Sequence, residues 1–288
     1  IVLSHNFGIP ADMDRIMARA EKHNLKVIDD CAQAHGSLYN GKPVGSQGHI
    51  SCFSLGSGKN IAAGDAGMLV TDDRLLYDRS LLAGMHPGRS RKQIETLYLK
   101  EKVTSVIYTY RVNTLAAAIA YRQLDRLEEM NGWRRKNGAK LREAVGDAPG
   151  IRPCKLPSNV DPAWHMIPWT FVPDDVPGIS RGQYMAALRA EGVPIGPSYV
   201  KTPMYMRRTF REKSWWLGKG YPWKAHPNGD AIVYEEGQCA IAEKRCTELD
   251  LMMGGGSLYT DCSKLVEQIG EAFRKVTDRL DEVRKVDA

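Results

Sequence analysis

Four chemically distinct side chains follow one another between Val27 and Gly67, each at the end of a short apolar run or in a glycine-bounded turn. Leu25 to Ile28 is too short an apolar run for a helix and reads as a buried strand that leads into Asp30, with Gln33 just beyond. Ile50 to Leu55 reads as a second strand, carrying Ser54, and Lys59 follows inside Gly56-Ser57-Gly58-Lys59-Asn60. A helix from about Ala11 to Asn24 precedes them: Met13, Ile16, Met17 and Ala20 make one apolar face, and Pro10 stands just ahead of the first turn. Strand and helix in alternation imply an α/β layer with a largely parallel sheet. In such sheets chemistry gathers at the carboxyl ends of the strands, where Asp30 and the turn after Leu55 are expected.

Further strands and helices fit the same layer. Met68 to Thr71 reads as a strand and Leu75 to Gly84 as a helix closed by glycine. The stretch His86 to Lys102, with Arg89, Arg91, Lys92, Lys100 and Lys102, reads as a mobile, solvated loop. Asn113 to Glu129 and about Asn131 to Val145 read as two helices. From Gly150 the pattern changes to a smaller, proline-dense α+β unit, so the expected division is 1–130 for a large domain and 131–288 for a small one. Within the second part, Met166 to Val172 reads as a strand that Pro168 confines to an edge or bulge. Ser180 and Gln183 form a capping box, the aromatics Trp215, Trp216, Tyr221 and Trp223 lie in irregular chain, and Leu265 to Leu280 lines a C-terminal amphipathic helix.

Composition narrows the function classes. No run of eighteen apolar residues crosses a bilayer. A net charge of +6 with dispersed basic residues suits an anionic small molecule and gives no nucleic-acid module. Six scattered cysteines with no C-x-x-C pair and no secretory signal read as reduced thiols of a cytoplasmic protein, and no His/Cys spacing marks a metal site.

An acid, an amide, a hydroxyl and a lysine are what a protein needs to hold and use pyridoxal 5'-phosphate. Lys59 is the candidate for the Schiff base and proton carrier, Asp30 for the partner of the ring nitrogen, and Ser54 for a phosphate donor. Duller readings stand beside these: Lys59 as a surface-loop lysine, Asp30 as a cap or turn residue, as Asp29 beside it can also be. A phosphate-binding P-loop is excluded, because Phe53 stands where its first glycine belongs and Asn60 where Ser or Thr must follow the lysine.

Together these residues resemble the DegT/DnrJ/EryC1/StrS family of pyridoxal-phosphate aminotransferases. The matching strings are His5-Asn6-Phe7-Gly8-Ile9-Pro10-Ala11-Asp12-Met13-Asp14, Ile28-Asp29-Asp30-Cys31-Ala32-Gln33-Ala34-His35-Gly36, Gly41-Lys42-Pro43-Val44-Gly45-Ser46, Phe53-Ser54-Leu55 and Lys59-Asn60. Tyr110-Arg111 with the alanine-rich helix to Leu124, and Cys239-Ala240-Ile241-Ala242-Glu243, look like later landmarks. The resemblance implies the type I, aspartate-aminotransferase-like fold and a homodimer with the active site at its interface. It implies that Lys59 carries the cofactor, Asp30 meets the ring nitrogen, Gln33 lies near the ring, and Ser54 binds phosphate. The implied reaction moves an amino group from glutamate or glutamine to a keto-sugar, nucleotide-linked or not, or to a cyclitol ketone.

Departures from the family pattern qualify this. Gly64-Asp65-Ala66-Gly67 replaces G-E-G-G, and Thr109 stands where the family places an asparagine that reaches the partner subunit's phosphate. The family's phosphate-binding turn and stacking ring would precede Ile1, so the chain is expected to be a fragment that binds cofactor weakly or not at all. Two alternatives remain open: a non-catalytic binding or regulatory member of the fold, and a pyridoxal-phosphate dehydratase or lyase. Against the dehydratase branch, which places histidine there, stands Lys59. Arg207, Arg208 and Arg211, with the basic loop, are candidates to meet a nucleotide diphosphate.

Overall fold

A computed structural model describes residues 1–104, 108–215 and 217–287; Trp216 of the aromatic segment lies outside them. The chain divides into two compact units, the first of residues 1–139, 155–166 and 255–262 and the second of 140–154, 167–254 and 263–288. The helix Leu127–Val145 runs unbroken through residue 130, where the sequence division is expected.

The first unit is built on a four-stranded sheet. Strands β1 (Val2–Ser4), β2 (Ile28–Asp30) and β3 (Ile50–Ser54) run parallel, and β4 (Gly67–Val70) closes the edge antiparallel to β3. Alternation sorts their side chains by face. Leu3, Asp29 and Ser51, which are register partners, are all buried, whereas Val2, Ile28 and Leu69 are exposed. Helix α1 (Met13–Lys22) starts where Asp12 accepts a hydrogen bond from Arg15 N, and its predicted apolar stripe does pack: Met13 and Ala20 are buried with Leu3, Val27, Tyr39 and Val160, flanked by Ile16 and Met17.

Beyond β4, helix α2 (Arg74–Gly84) begins on Asp73, whose side chain accepts from Leu76 N. The basic stretch expected to be a loop is instead two short helices, α3 (Pro87–Gln93) and α4 (Leu97–Lys100). The reason is a small core that the charges conceal: Leu81, Ile94, Leu99 and Val103 are buried together. A buried carboxylate ties it down. Asp78 Oδ2 accepts from Thr96 N (2.8 Å), Thr96 Oγ1 (2.6 Å) and Glu95 N (3.2 Å), and Oδ1 pairs with Arg74 at 2.6 Å. Burial alone would raise this carboxyl, yet those bonds outweigh it and hold it down at about 2. Helix α5 (Thr114–Leu124), capped by Asn113, ends earlier than the sequence suggests, and α6 (Leu127–Val145) begins three residues on.

The second unit carries a four-stranded sheet in the order Ile195–Pro197, Asp250–Gly254, Met166–Phe171 and Ile151–Pro153, with both outer pairs antiparallel. The strand with Pro168 is therefore internal, not at an edge. It is tolerated because pairing with Ile151–Pro153 stops at Trp169, opposite Pro153, so only the Pro168 carbonyl is used, accepting from Cys154 N at 3.4 Å. The capping box forms as read: Ser180 accepts from Gln183 N and Gln183 accepts from Ser180 N, opening the helix Arg181–Ala190. Tyr184 and Leu188 from this helix, Phe171 and Trp169 from the sheet, and Phe273 from the C-terminal helix Ser263–Thr277 are all buried.

Candidate functional site

Register places Asp30 and Ser54 on one side of the first sheet. Asp30 on β2 lies directly beside Cys52 on β3, and Ser54 follows two residues later on the face Cys52 occupies. The neighbouring Asp29 points the other way, fully buried, and accepts from Gly48 N (3.1 Å) and Ser51 Oγ (3.4 Å). Gly48 must be glycine, since a Cβ there would stand 2.5 Å from Asp29 Oδ1. Asp29 is thus a fastener between strands, and Asp30 is half-buried with one oxygen accepting from Ala32 N at 3.0 Å.

Gln33 sits in the turns after β2. Its Oε1 accepts from Phe7 N at 2.7 Å, which leaves its amide NH2 as the free, donating half. That contact locks Gln33 to a strained loop in which Phe7 has φ +65° and Gly8 has φ +85°; a Cβ on Gly8 would meet Trp164 N at 2.8 Å.

Lys59 closes a four-residue turn by donating its N–H to Gly56 O at 3.0 Å, and Ser54 Oγ accepts from Gly56 N at 3.4 Å at the foot of the turn. Three imidazoles surround this region. Burial holds His35 at about 4, reinforced by the positive charges of Lys59 and Arg134, and burial with the same two cations holds His165 at about 4. Burial likewise lowers His5 to about 4 although Asp30 pulls the other way. All three are neutral at pH 7. His165 is fixed through its backbone, donating to Phe7 O and accepting from Gly256 N, each at 3.0 Å. Arg134 donates to Asn131 Oδ1 (2.8 Å) and Gly256 O (3.2 Å), and its guanidinium lies 5.6 Å from the Tyr259 ring.

Asp30, Gln33, Ser54 and Lys59 thus fall on consecutive segments of one unit. Thr109 does not join them: it is exposed, between the stacked rings of Tyr108 and Tyr110. The sequence shows His35 only as part of a motif string and marks neither His165, which feels the charge of Lys59, nor Arg134, whose charge both histidines feel. Among the described residues, His5, Asp29 and Cys31 bring ligand-type atoms within 4.8 Å of one another. His5 Nδ1 accepts from Ala11 N at 3.0 Å, so in the neutral ring Nε2 carries the proton and is a donor, which fits a buried polar cluster better than a metal centre.

The sequence profile of the DegT/DnrJ/EryC1/StrS aminotransferase family matches residues 1–222. Among solved structures, S. venezuelae DesV in complex with a ketimine intermediate superposes with a TM-score of 0.72 at 24% identity, covering 96% of this chain and 65% of that one. An aminotransferase from Psychrobacter cryohalolentis gives 0.74 at 25% identity, covering 98% and 69%. A GDP-4-keto-6-deoxymannose-3-dehydratase with a trapped PLP-glutamate geminal diamine gives 0.69 at 20% identity, covering 95% and 67%. The chain therefore spans about two thirds of the length of the structures it matches, with the fold type I architecture in common.

Proposed function

The chain belongs to the DegT/DnrJ/EryC1/StrS aminotransferase family, and on that premise we propose that it uses pyridoxal 5'-phosphate to move an amino group from glutamate or glutamine to the ketone of a sugar or cyclitol. One observation carries this reading. Asp30 lies in register beside the strand that presents Ser54, and that strand runs straight into the Lys59 turn. The free valences suit the group. Asp30 uses one carboxylate oxygen on Ala32 N, and Gln33 keeps its NH2 because Phe7 occupies its carbonyl.

The bound cofactor supplies a ring that accepts electrons from the substrate's α-carbon. Lys59 Nζ is assigned covalent attachment and the later transfer of a proton between carbons. Asp30 holds a proton on the ring nitrogen, since a half-buried carboxylate beside a cation favours the charged pair. Gln33 Nε2 donates to the ring oxygen and Ser54 Oγ to a phosphate oxygen. The neutral imidazoles of His35 and His165 add no positive charge beside Lys59.

Thr109 is assigned to the phosphate of a second copy in a homodimer. The exposed apolar face of α5 supports that assembly, with Leu115 74% and Ile119 50% exposed along a groove that also includes Ala118 and Arg122. A nucleotide-linked sugar is the favoured substrate class. In the second unit Lys201, Arg207 and Arg208 line a cavity of about 530 Å³ with Tyr199 and Thr202, although Glu212 already pairs with Arg208 at 2.8 Å. No helix among the described residues is long and apolar enough to cross a membrane, and the six cysteines are free, which supports a cytoplasmic setting. The test is the product: a keto-sugar incubated with the chain, cofactor and glutamate should gain an amine. A deoxygenated sugar without nitrogen would make the chain a dehydratase, and no turnover by a chain that has taken up the cofactor would favour a binding protein.

A further inference from the structure

Lys59 lies in a loop whose ends are closed by backbone bonds, Leu55 N to Ala66 O and Ala63 N to Leu55 O, each 2.8 Å. Its apolar members Leu55, Ile61 and Ala63 pack on Ala116 and Ala120 of α5. Two side chains then pin the residues that follow the lysine. Asn60, itself buried, donates its Nδ2 to Ala163 O at 2.8 Å. From α5, Gln123 takes both backbone groups of Ala62: its Oε1 accepts from Ala62 N at 3.0 Å, and its Nε2 donates to Ala62 O. Ala116, Ala120 and Gln123 recur at i, i+4 and i+7, so one helical face supplies both the packing and the paired bonds.

We propose that Gln123 is a positioning residue that fixes the Lys59 turn against α5; this rests on Lys59 being the lysine that takes the cofactor. The chemistry restricts the position to glutamine. Asparagine is one methylene too short, methionine fills the volume and makes neither bond, and glutamate can accept from Ala62 N but sets a charge against Ala62 O. Ala62 is only half-buried, so loss of the pair leaves its backbone to water rather than stranded. The cost therefore falls on the loop's placement, three residues from Lys59, and not on the fold.

The test compares the full chain with Gln123→Met and Gln123→Glu, two measurements on each. Hydrogen exchange at the Ala62 amide needs no cofactor and should quicken about tenfold in Gln123→Met, the weight of one typical net hydrogen bond, and less in Gln123→Glu, which keeps the acceptor. Borohydride trapping with pyridoxal 5'-phosphate, read by mass spectrometry, should show severalfold less adduct on Lys59 in Gln123→Met, partial recovery in Gln123→Glu, and unchanged adduct on other lysines. An equal melting temperature shows that the fold is intact, and Gln123→Leu, which likewise makes neither bond, takes the methionine variant's place if that one does not fold. Unchanged exchange overturns the proposal. Faster exchange with undiminished Lys59 labelling reduces Gln123 to a structural tie and overturns it too. A wild-type adduct on another lysine defeats the functional reading instead, whatever the exchange shows.

Discussion

The two units bury different chemistry. Of the polar or charged residues buried among the described residues, His5, Asp29, His35, Ser37, Ser51, Asn60, Asp78, Ser90, Asn131, Arg134 and Asn137 belong to the first unit, and only Ser198 to the second. The second unit is held by an ordinary apolar core of Trp169, Tyr184, Leu188, Leu251, Met253 and Phe273. Burying a polar group is costly unless it is bonded, so a unit that does so repeatedly is committed to one arrangement of those groups. The contrast is between a first unit that buries bonded polar groups and a second whose core is apolar.

The contrast can be broken by substitution. Lys59→Ala should lower amino transfer at least about a thousandfold while leaving urea unfolding nearly unchanged, if the side chain has the proposed role in chemistry and none in packing. Transfer within tenfold of wild type would remove the first unit's special status. Phe273→Ala should do the reverse, destabilising by about 3–5 kcal/mol in urea titration, with turnover per folded molecule maintained. Loss of turnover without loss of stability would show that the second core is not mere packing.

Acid titration separates the units more finely. His5, His35 and His165 are held at about 4 in the fold, against about 6.5 when unfolded, so the unfolded chain binds more protons between these limits. The contribution of these three histidines to stability is complete above about pH 6.5 and is lost as pH drops towards 4. Asp78, held at about 2 against about 3.9 unfolded, contributes stability above pH 4 that is lost as pH falls towards 2. Hydrogen exchange from pH 7 to 3 should therefore show residues of the first unit opening before those of the Ser263–Thr277 helix. Simultaneous opening would deny the difference. The smallest effect concerns the basic cavity: Arg207→Ala should change stability by less than about 0.5 kcal/mol yet raise KM for a nucleotide-linked sugar, and an unchanged KM would remove that cavity from the substrate site.

Legibility in the sequence followed periodicity and local chemistry. The stripe of α1, the strands around Asp30 and Ser54, and the Ser180–Gln183 box are each specified by neighbours a few residues apart. The helices after His86 are hidden in the sequence because Arg89, Arg91 and Lys92 dominate its composition, while Leu81, Ile94 and Leu99 meet only through tertiary packing and the Asp78–Thr96 bonds. The internal position of Pro168 is not legible because its tolerance depends on where a partner strand stops. Local context brings Asp30, Ser54 and Lys59 forward as candidates, and the resemblance adds Gln33. His165 and Gln123 cannot be found this way, since they come near the lysine turn only when segments far apart in the chain come together.

Everything turns on which amine takes the cofactor. The direct measurement is borohydride reduction of the chain with excess pyridoxal 5'-phosphate, followed by peptide mass spectrometry of every lysine. A dominant adduct on Lys59 that vanishes in Lys59→Ala is the predicted result. A dominant adduct elsewhere, or equal labelling of exposed lysines in both proteins, would contradict it.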